Sequence, residues 1–415
     1  MRVSEGGTRR LLVSSFLPAL SAAWLVAAGA ASARDLYVGK DGLSVAKAIQ
    51  QAQAGDTVHL EPVVYRESAV FQSKKGEEGR PITLDGHGAT LEGSDPLDPA
   101  QWREVEPGLF AASDLLPRLD DFVLVRWFFL WEGRMNHMGR TSKGRKAAFL
   151  EPAALVPGQW TFVREPARET AGSSQVYGTF YVKLAPGRGI GDAGIRVPKR
   201  SAGVGLGGVC EHLVIRNVTV THVHNDGFNI HGDCRSVVFE NIRAIECGDD
   251  GISAHESAQY RVDGFVSVGN STGITDTGTA HTSYRRVFVA DNLAYDLFFL
   301  HDGRYEVRDA VVWSSAERAL QVSAGPGQHS ELRLENVLVR RVGARGAVRV
   351  DRDASLFAKR FTLENDALQG PGVMELNESV VDGAAVPAGS SVQGADVAGL
   401  VGSVVPAEYR ERLGR

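Results

Sequence analysis

Cysteine is scarce in this chain. Cys210, Cys234 and Cys247 are the only three among 415 residues. An odd, small number argues against a disulfide framework, and the three suggest no metal site, so the fold must stand on its apolar core. A basic excess is lacking too. Lys and Arg number 45 against 50 Asp and Glu, a formal net charge of −5, which gives no case for nucleic acid. Beyond the N-terminal segment no run is long and apolar enough to span a bilayer. In the second half, no helix of useful length fits between the turn signals. What the chain has instead is 43% apolar residues and 47 glycines, ample for a core and for many turns.

The N-terminus has the parts of a secretory signal. Arg9 and Arg10 precede the apolar stretch "LLVSSFLPALSAAWLVAAGAA", and "ASA" ends at Ala33. "TRRLL" is similar to a twin-arginine signal. Residues 1–33 are expected to be removed; an uncleaved anchor is the other reading. The mature chain is then expected to be a secreted or periplasmic monomer with no membrane association.

The remainder repeats itself. Short strands read "GFNIHGD" from Gly227, "GISAHES" from Gly251, "GITDTGT" from Gly273, "LFFLHDG" from Leu297, "ALQVSAG" from Ala319 and "AVRVDRD" from Ala347. Their starts are 24, 22, 24, 22 and 28 residues apart, with "AGPGQ" as a loop insertion in the last gap. A second set alternates with them: "LVIRNVTV", "VVFENIRA", "YRVDGFVSV", "YRRVFVADN", "YEVRDAVVW" and "LRLENVLVR". Several short strands per period of this length suit one coil of a parallel β-solenoid. The leucine-and-asparagine pattern of a leucine-rich repeat is missing.

On these repeats, and on "DLYVGKDGLSVAKAIQQAQAGDTVHLEPVVYRES" with its short amphipathic segment "VAKAIQQA", the chain resembles the right-handed parallel β-helix superfamily of pectate lyases and polygalacturonases. The resemblance implies an all-β fold: a right-handed parallel β-helix whose open end is covered by an N-terminal cap helix. The expected organisation is a cap and first coils over residues 34–101, an inserted β-rich lobe over 102–199, coils over 200–400 and a C-terminal cap or tail over 401–415. The lobe is dense in aromatics, among them Trp127, Phe128, Phe129, Trp131, Trp160, Phe162, Tyr177, Phe180 and Tyr181. They form either its own core or an aromatic wall beside a sugar-binding groove.

Neighbouring side chains on a strand point to opposite faces. Phe228 and Ile230, Ile252 and Ala254, Phe298 and Leu300, Leu320 and Val322, and Val348 and Val350 are expected to line the core. Asn229 and His231, Ser253 and His255, Thr275 and Thr277, Phe299 and His301, Gln321 and Ser323, and Arg349 and Asp351 are expected to face out. Coils stack about 4.8 Å apart, so His231 and His255 should be neighbours, with His301 in the same row two coils beyond. Asp226, Asp250 and Asp296 should stand at the start of their strands, with Asp249 and Glu256 nearby. Asp276 takes a core-facing place, so that coil is irregular or Asp276 is buried and paired. Cys210 and Cys234 take equivalent places as stacked thiols or a disulfide.

A stripe of carboxylates and imidazoles on an exposed sheet can carry chemistry, although Asp-Gly is also a turn sequence and stacked histidines can be a hydrogen-bonded ladder. "HNDGFNI" and "CGDDGISA" are similar to the Asn-Thr-Asp-Gly and Gly-Asp-Asp segments of polygalacturonase-type hydrolases. That resemblance implies Asp226, Asp249 and Asp250 as the catalytic acids; His255 is the candidate to replace the family's missing His, and His231 or His255 the candidate base of a rival chemistry. The family's Gly-His-Gly segment is replaced by "NSTGITD", and its Arg-Ile-Lys segment is not found. Asn229, Glu256, Asp296, His301 and Arg304 are the candidate substrate contacts. The expected activity is hydrolysis of an extracellular polysaccharide by an Asp pair, with no certain cofactor or metal. The rival is a lyase or uronate epimerase, in which a His removes a proton and Ca²⁺ held by Asp226 and Asp250, or an arginine, neutralises the carboxylate. A non-catalytic glycan-binding or surface solenoid is the third.

Overall fold

The structure, a computed structural model, describes residues 32–386 and 393–413. The expected signal segment lies outside the described residues except for Ser32 and Ala33. The repeat forms a parallel β-solenoid. Strands Ala69–Gln72, Val204–Gly207, Phe228–Ile230, Asp250–Ala254, Thr272–Asp276, Tyr295–Phe299, Arg318–Val322, Gly346–Val350 and Asp366–Gln369 pair in that order as a nine-stranded sheet. The second strand set forms a longer sheet running through Ile82–Glu92, Val209–Thr221, Asp233–Ile245, Gln259–Val268, His281–Ala290, Arg304–Ser314, Ser330–Arg341 and Ala354–Glu364.

Each coil turns corners at residues with left-handed φ. Gly232, Glu256, Gly278 and His301 take this conformation just after the short strands. Asn217, Asn241, Gly264, Arg286, Asp309 and Asn336 take it midway along the long ones. His222, Glu246, Gly269 and Asp291 take it where the long strands end. Asn, Asp and Gly tolerate this region best, which explains much of the polar punctuation between the apolar runs.

The core is a ladder of inward side chains. Phe228 and Ile230 stack on Ile252 and Ala254. Further along, Leu320, Val322, Val348 and Val350 are likewise fully buried. Each such side chain contributes roughly 1.5–3 kcal/mol when buried. Asp276 takes its rung in this ladder, buried and paired. It accepts from the Tyr260 hydroxyl at 2.9 Å, the Tyr284 hydroxyl at 2.9 and 3.0 Å, the Thr282 hydroxyl at 2.6 Å and the Ala254 N–H at 3.0 Å. The next coil corrects the expected register. Ile274 pairs with Leu297 and Asp276 with Phe299, so Leu297 and Phe299 enter the core and Phe298 faces out. Apolar residues occupy both faces of "LFFL", so alternation could not choose between the two registers. Cys210 stacks on Cys234 in register, and all three cysteines are buried free thiols.

The helix Val45–Gln51 closes the N-terminal end, with the Ser44 hydroxyl accepting from Lys47 N–H and Val45, Ala48 and Ile49 buried. The lobe begins slightly earlier than expected. Ser94–Pro96 joins Ile195–Pro198, Phe129–Trp131 and Arg134–Asn136 in one four-stranded antiparallel sheet. Arg103–Glu106, Leu109–Ser113, Gly178–Lys183 and Trp160–Arg164 form the other. Trp127, Phe129, Trp160 and Phe180 pack against each other in the interior of the lobe. These four rings are the lobe's own core, the first of the two readings the sequence offers. The C-terminal helices Val397–Ser403 and Ala407–Leu413 lie against Phe288, Val311 and Leu338 on the outside of the long sheet rather than over an end. No helix among the described residues is long and apolar enough to cross a membrane.

Candidate active site

The short strands begin at a corner where the chain changes direction, and the acids of both quoted motifs stand there. The short-sheet pairing of Phe228 with Ile252 sets Asp226 beside Asp250. The Asp250 N–H donates to Asp226 at 3.1 Å, and the Ser253 hydroxyl donates to the other oxygen of Asp226 at 2.8 Å. Asp249 precedes Asp250. One oxygen from each of the three carboxylates lies within 4.8 Å of the others. The solenoid therefore brings Asp226, Asp249 and Asp250 together as expected. It does not leave them in solvent: they are 3%, 8% and 3% exposed.

The cover is a strap from the lobe. Lys143 Nζ lies 2.6 Å from Asp249 and 2.5 Å from Asp250, and its side chain is 22% exposed. Arg126 Nη1 donates to Asp249 at 2.6 Å and its Nε to the His224 carbonyl at 3.0 Å. Arg126 also donates to Asn225, and the Ser142 hydroxyl donates to Asp249. Further along the strap, the Arg145 N–H donates to Glu317 at 2.8 Å. Two glycines permit the close approach. A Cβ on Gly144 would come within 2.8 Å of Ala294 Cβ and 2.9 Å of Glu317. One on Gly248 would come within 3.1 Å of the Phe128 ring.

Three buried carboxylates cannot all ionise against two cations without cost. Burial opposes ionisation of Asp249, but Lys143, Arg126 and the Ser142 hydroxyl outweigh it and hold this carboxyl well below its ordinary range. Burial and the Asp249 charge push Asp250 well above it, against Lys143. Asp226 is raised by burial and the same neighbouring charge. Burial would lower Lys143, and the acids around it raise it instead. The site thus holds one firm anion and one firm ammonium, with two carboxyls beside them whose hold on a proton is strengthened. Opposed proton affinities of this kind mark acid–base sites. The trio has the oxygens for a cation such as Ca²⁺, but the Lys143 ammonium already stands between Asp249 and Asp250, so these residues do not fit a metal while the strap is in place.

The histidines stand on the outer face of the short sheet, next to the acids. His231 and His255 stack with ring centres 4.0 Å apart and planes 8° from parallel. Glu256 fixes His231 at 3.2 Å and also accepts the Gly232 N–H at 2.8 Å. Burial, and then the neighbouring His231, lower His255 to about 4, so it is neutral at pH 7. No hydrogen bond holds its ring among the described residues. Asn229 shares this face, its Oδ1 buried without a partner.

Three expected contacts fall elsewhere. His301 is not in the histidine row; it occupies the left-handed corner after the strand, where it meets the Thr277 hydroxyl. Asp296 turns into the interior, fully buried, and accepts from Asn292 at 2.9 Å. Arg304 lies past the corner at the start of a long strand, beside His281 and Glu331, away from the acids. The first two follow from the one-residue slip in "LFFLHDG". Conversely, Arg126, Ser142 and Lys143 were not anticipated, because the lobe carries no repeat to place them. Clustering three acids without a nearby cation was the available signal.

No family model matches the sequence, and no curated protein matches it either. Solved structures do. The chain is similar in fold to XylC in complex with xylose, at 12% identity and a TM-score of 0.50 over 81% of this chain and 70% of that one. It is also similar to a glycoside hydrolase, at 10% identity and 0.48 over 92% and 100% of the two chains. For the pectate lyase Pel9A the values are 12% and 0.45 over 88% and 83%. At these identities the likeness is one of fold: a right-handed parallel β-helix.

Proposed function

We propose that this protein is an exported carbohydrate-active enzyme that hydrolyses glycosidic bonds of a polysaccharide lying in the groove over the short-strand sheet. The observation that carries this is the acidic trio, whose carboxylates lie within 4.8 Å of one another, with Asp249 held well below its ordinary range by Lys143 and Arg126 and Asp250 pushed well above it by burial and the Asp249 charge. Hydrolysis needs one carboxyl to give a proton to the leaving oxygen and another carboxylate to activate water or attack. Asp250 takes the first role and Asp249 or Asp226 the second. Substrate must displace Lys143 to reach them. Withdrawal of that ammonium strengthens the hold of Asp250 on its proton, because the Asp249 charge and the burial remain.

A second reading is favoured by one observation. His255 is neutral and no hydrogen bond occupies its ring nitrogens among the described residues, so it is free to accept a proton from the carbon next to a uronate carboxyl, with the Lys143 ammonium close by to neutralise that carboxyl. A panel of acidic and neutral polysaccharides separates the readings. New reducing ends without ultraviolet absorbance support hydrolysis. Reducing ends with the absorbance of an unsaturated uronate support elimination. No product from any polymer refutes both and leaves a glycan-binding solenoid.

A further inference from the structure

Beyond the acids, the same groove carries a second built feature. The register runs from Asp250 to Thr272, from Thr272 to Tyr295 and from Tyr295 to Arg318. A neighbouring row runs from Ser253 through Thr275 to Phe298 and then Gln321. Tyr295 and Phe298 therefore stand two coils from the acids, roughly 10 Å along the axis. Their rings stack with centres 4.3 Å apart and planes 8° from parallel. Both are partly exposed on the outer side of a strand whose inner side, Leu297 and Phe299, is fully buried. Packing does not require two rings there; a flat apolar face on an outer sheet is a place for a ligand with an apolar face of its own.

One coil further, Arg318 stands beside Tyr295. The other charges nearby are engaged: Lys143 by the acids, Glu317 by the Arg145 N–H, and Arg349 by Asp351. No ion pair or hydrogen bond holds the Arg318 guanidinium among the described residues. A half-buried arginine without a counter-ion next to an aromatic face suits a ring that carries a carboxylate, which a guanidinium meets with paired donors.

We propose that Tyr295, Phe298 and Arg318 form a subsite for a uronate residue of an acidic polysaccharide, two coils from the acids. It rests on the polysaccharide reading above and adds the class of sugar. The strap reaches the subsite: Gly144 lies against Ala294, next to Tyr295. A chain seated on the rings thus approaches the acids along the strap.

The test is binding, read as retardation of the purified protein in native gels containing polygalacturonate, alginate or hyaluronan. Fully methyl-esterified polygalacturonate and neutral xylan are the uncharged controls. Binding to at least one acidic polymer is expected, weakened by salt and by esterification. Tyr295→Leu and Phe298→Leu keep apolar volume without the ring, and Arg318→Gln keeps length without the charge. Each is expected to weaken binding to that acidic polymer about tenfold, with melting temperature unchanged. Arg318→Gln should also abolish the preference for acid over ester. Binding to none of the acidic polymers, equal binding of acid and ester by the wild type, or three variants that bind like the wild type overturns the subsite. Product formation is scored separately. Retardation without product leaves the subsite standing and removes the hydrolase; product from neutral xylan without acidic binding does the reverse.

Discussion

Replacing Lys143 with methionine keeps most of the side-chain volume and removes the ammonium between Asp249 and Asp250. Arg126 remains on Asp249 at 2.6 Å, but Asp250 and Asp226 lose their nearest cation. Breaking a buried ion pair by removing one partner costs about 3–5 kcal/mol. For roughly 380 described residues at about 2.1 cal/mol/K each, melting entropy is near 0.8 kcal/mol/K, so the loss amounts to about 4–6 °C in melting temperature. The sign with pH follows from the proton inventory. Without Lys143 the carboxyls bind protons more tightly in the folded state than in the unfolded chain, and the deficit shrinks as pH falls. Melting curves of Lys143→Met at neutral pH and near pH 5 should show the large drop only at the former. Lys143→Met with Asp250→Asn should recover part of it, because the uncompensated acid is gone. An unchanged melting temperature at neutral pH, or a drop that neither acid nor the second substitution relieves, refutes the strap as an electrostatic clasp.

Further outcomes follow from buried groups away from the groove. Burial raises Asp296 to about 7, so its contribution to stability is present in acid and is lost as pH rises through that value. Wild type should lose melting temperature relative to Asp296→Asn between about pH 4 and 7, and a constant difference between the two contradicts this placement. Cys210, Cys234 and Cys247 are fully buried and free. A thiol reagent should find no fast-reacting group in the native protein and all three in denaturant; one rapid native thiol is the contrary result. Phe228→Ala empties a fully buried rung beneath the site and should cost about 3–5 kcal/mol, seen as a lowered melting temperature; a near-neutral effect would mean that the coil collapses around the gap.

The repeat made most of the solenoid legible in the sequence. The inner and outer faces of the coils at Phe228, Ile252, Leu320 and Val348 follow from alternation, because polar and apolar residues alternate cleanly there. At Leu297–Leu300 all four residues are apolar, and the register was free to slip by one. That slip displaced His301 and Asp296 from their expected places and hid Phe298 as an outward ring. Asp276 shows the opposite case: a charged residue on a core rung was a sign of a buried, fully hydrogen-bonded carboxyl, with two tyrosines reaching it from the long sheet. The acidic trio was legible because it belongs to the repeat. Its cations were not. Arg126 and Lys143 come from an unrepeated lobe about a hundred residues upstream, and no periodicity connects "GRTSKGRK" to a strand of the solenoid.

The claim on which the account depends is that the groove beside Lys143 is a reaction centre and not only a clasp. Turnover of the polysaccharide panel by wild type, Asp250→Asn and His255→Ala, each with an unchanged melting profile, tests it most directly. Wild type is expected to release product, Asp250→Asn none, and His255→Ala, which removes an imidazole next to the acids, little or none. Full activity in both variants would contradict it.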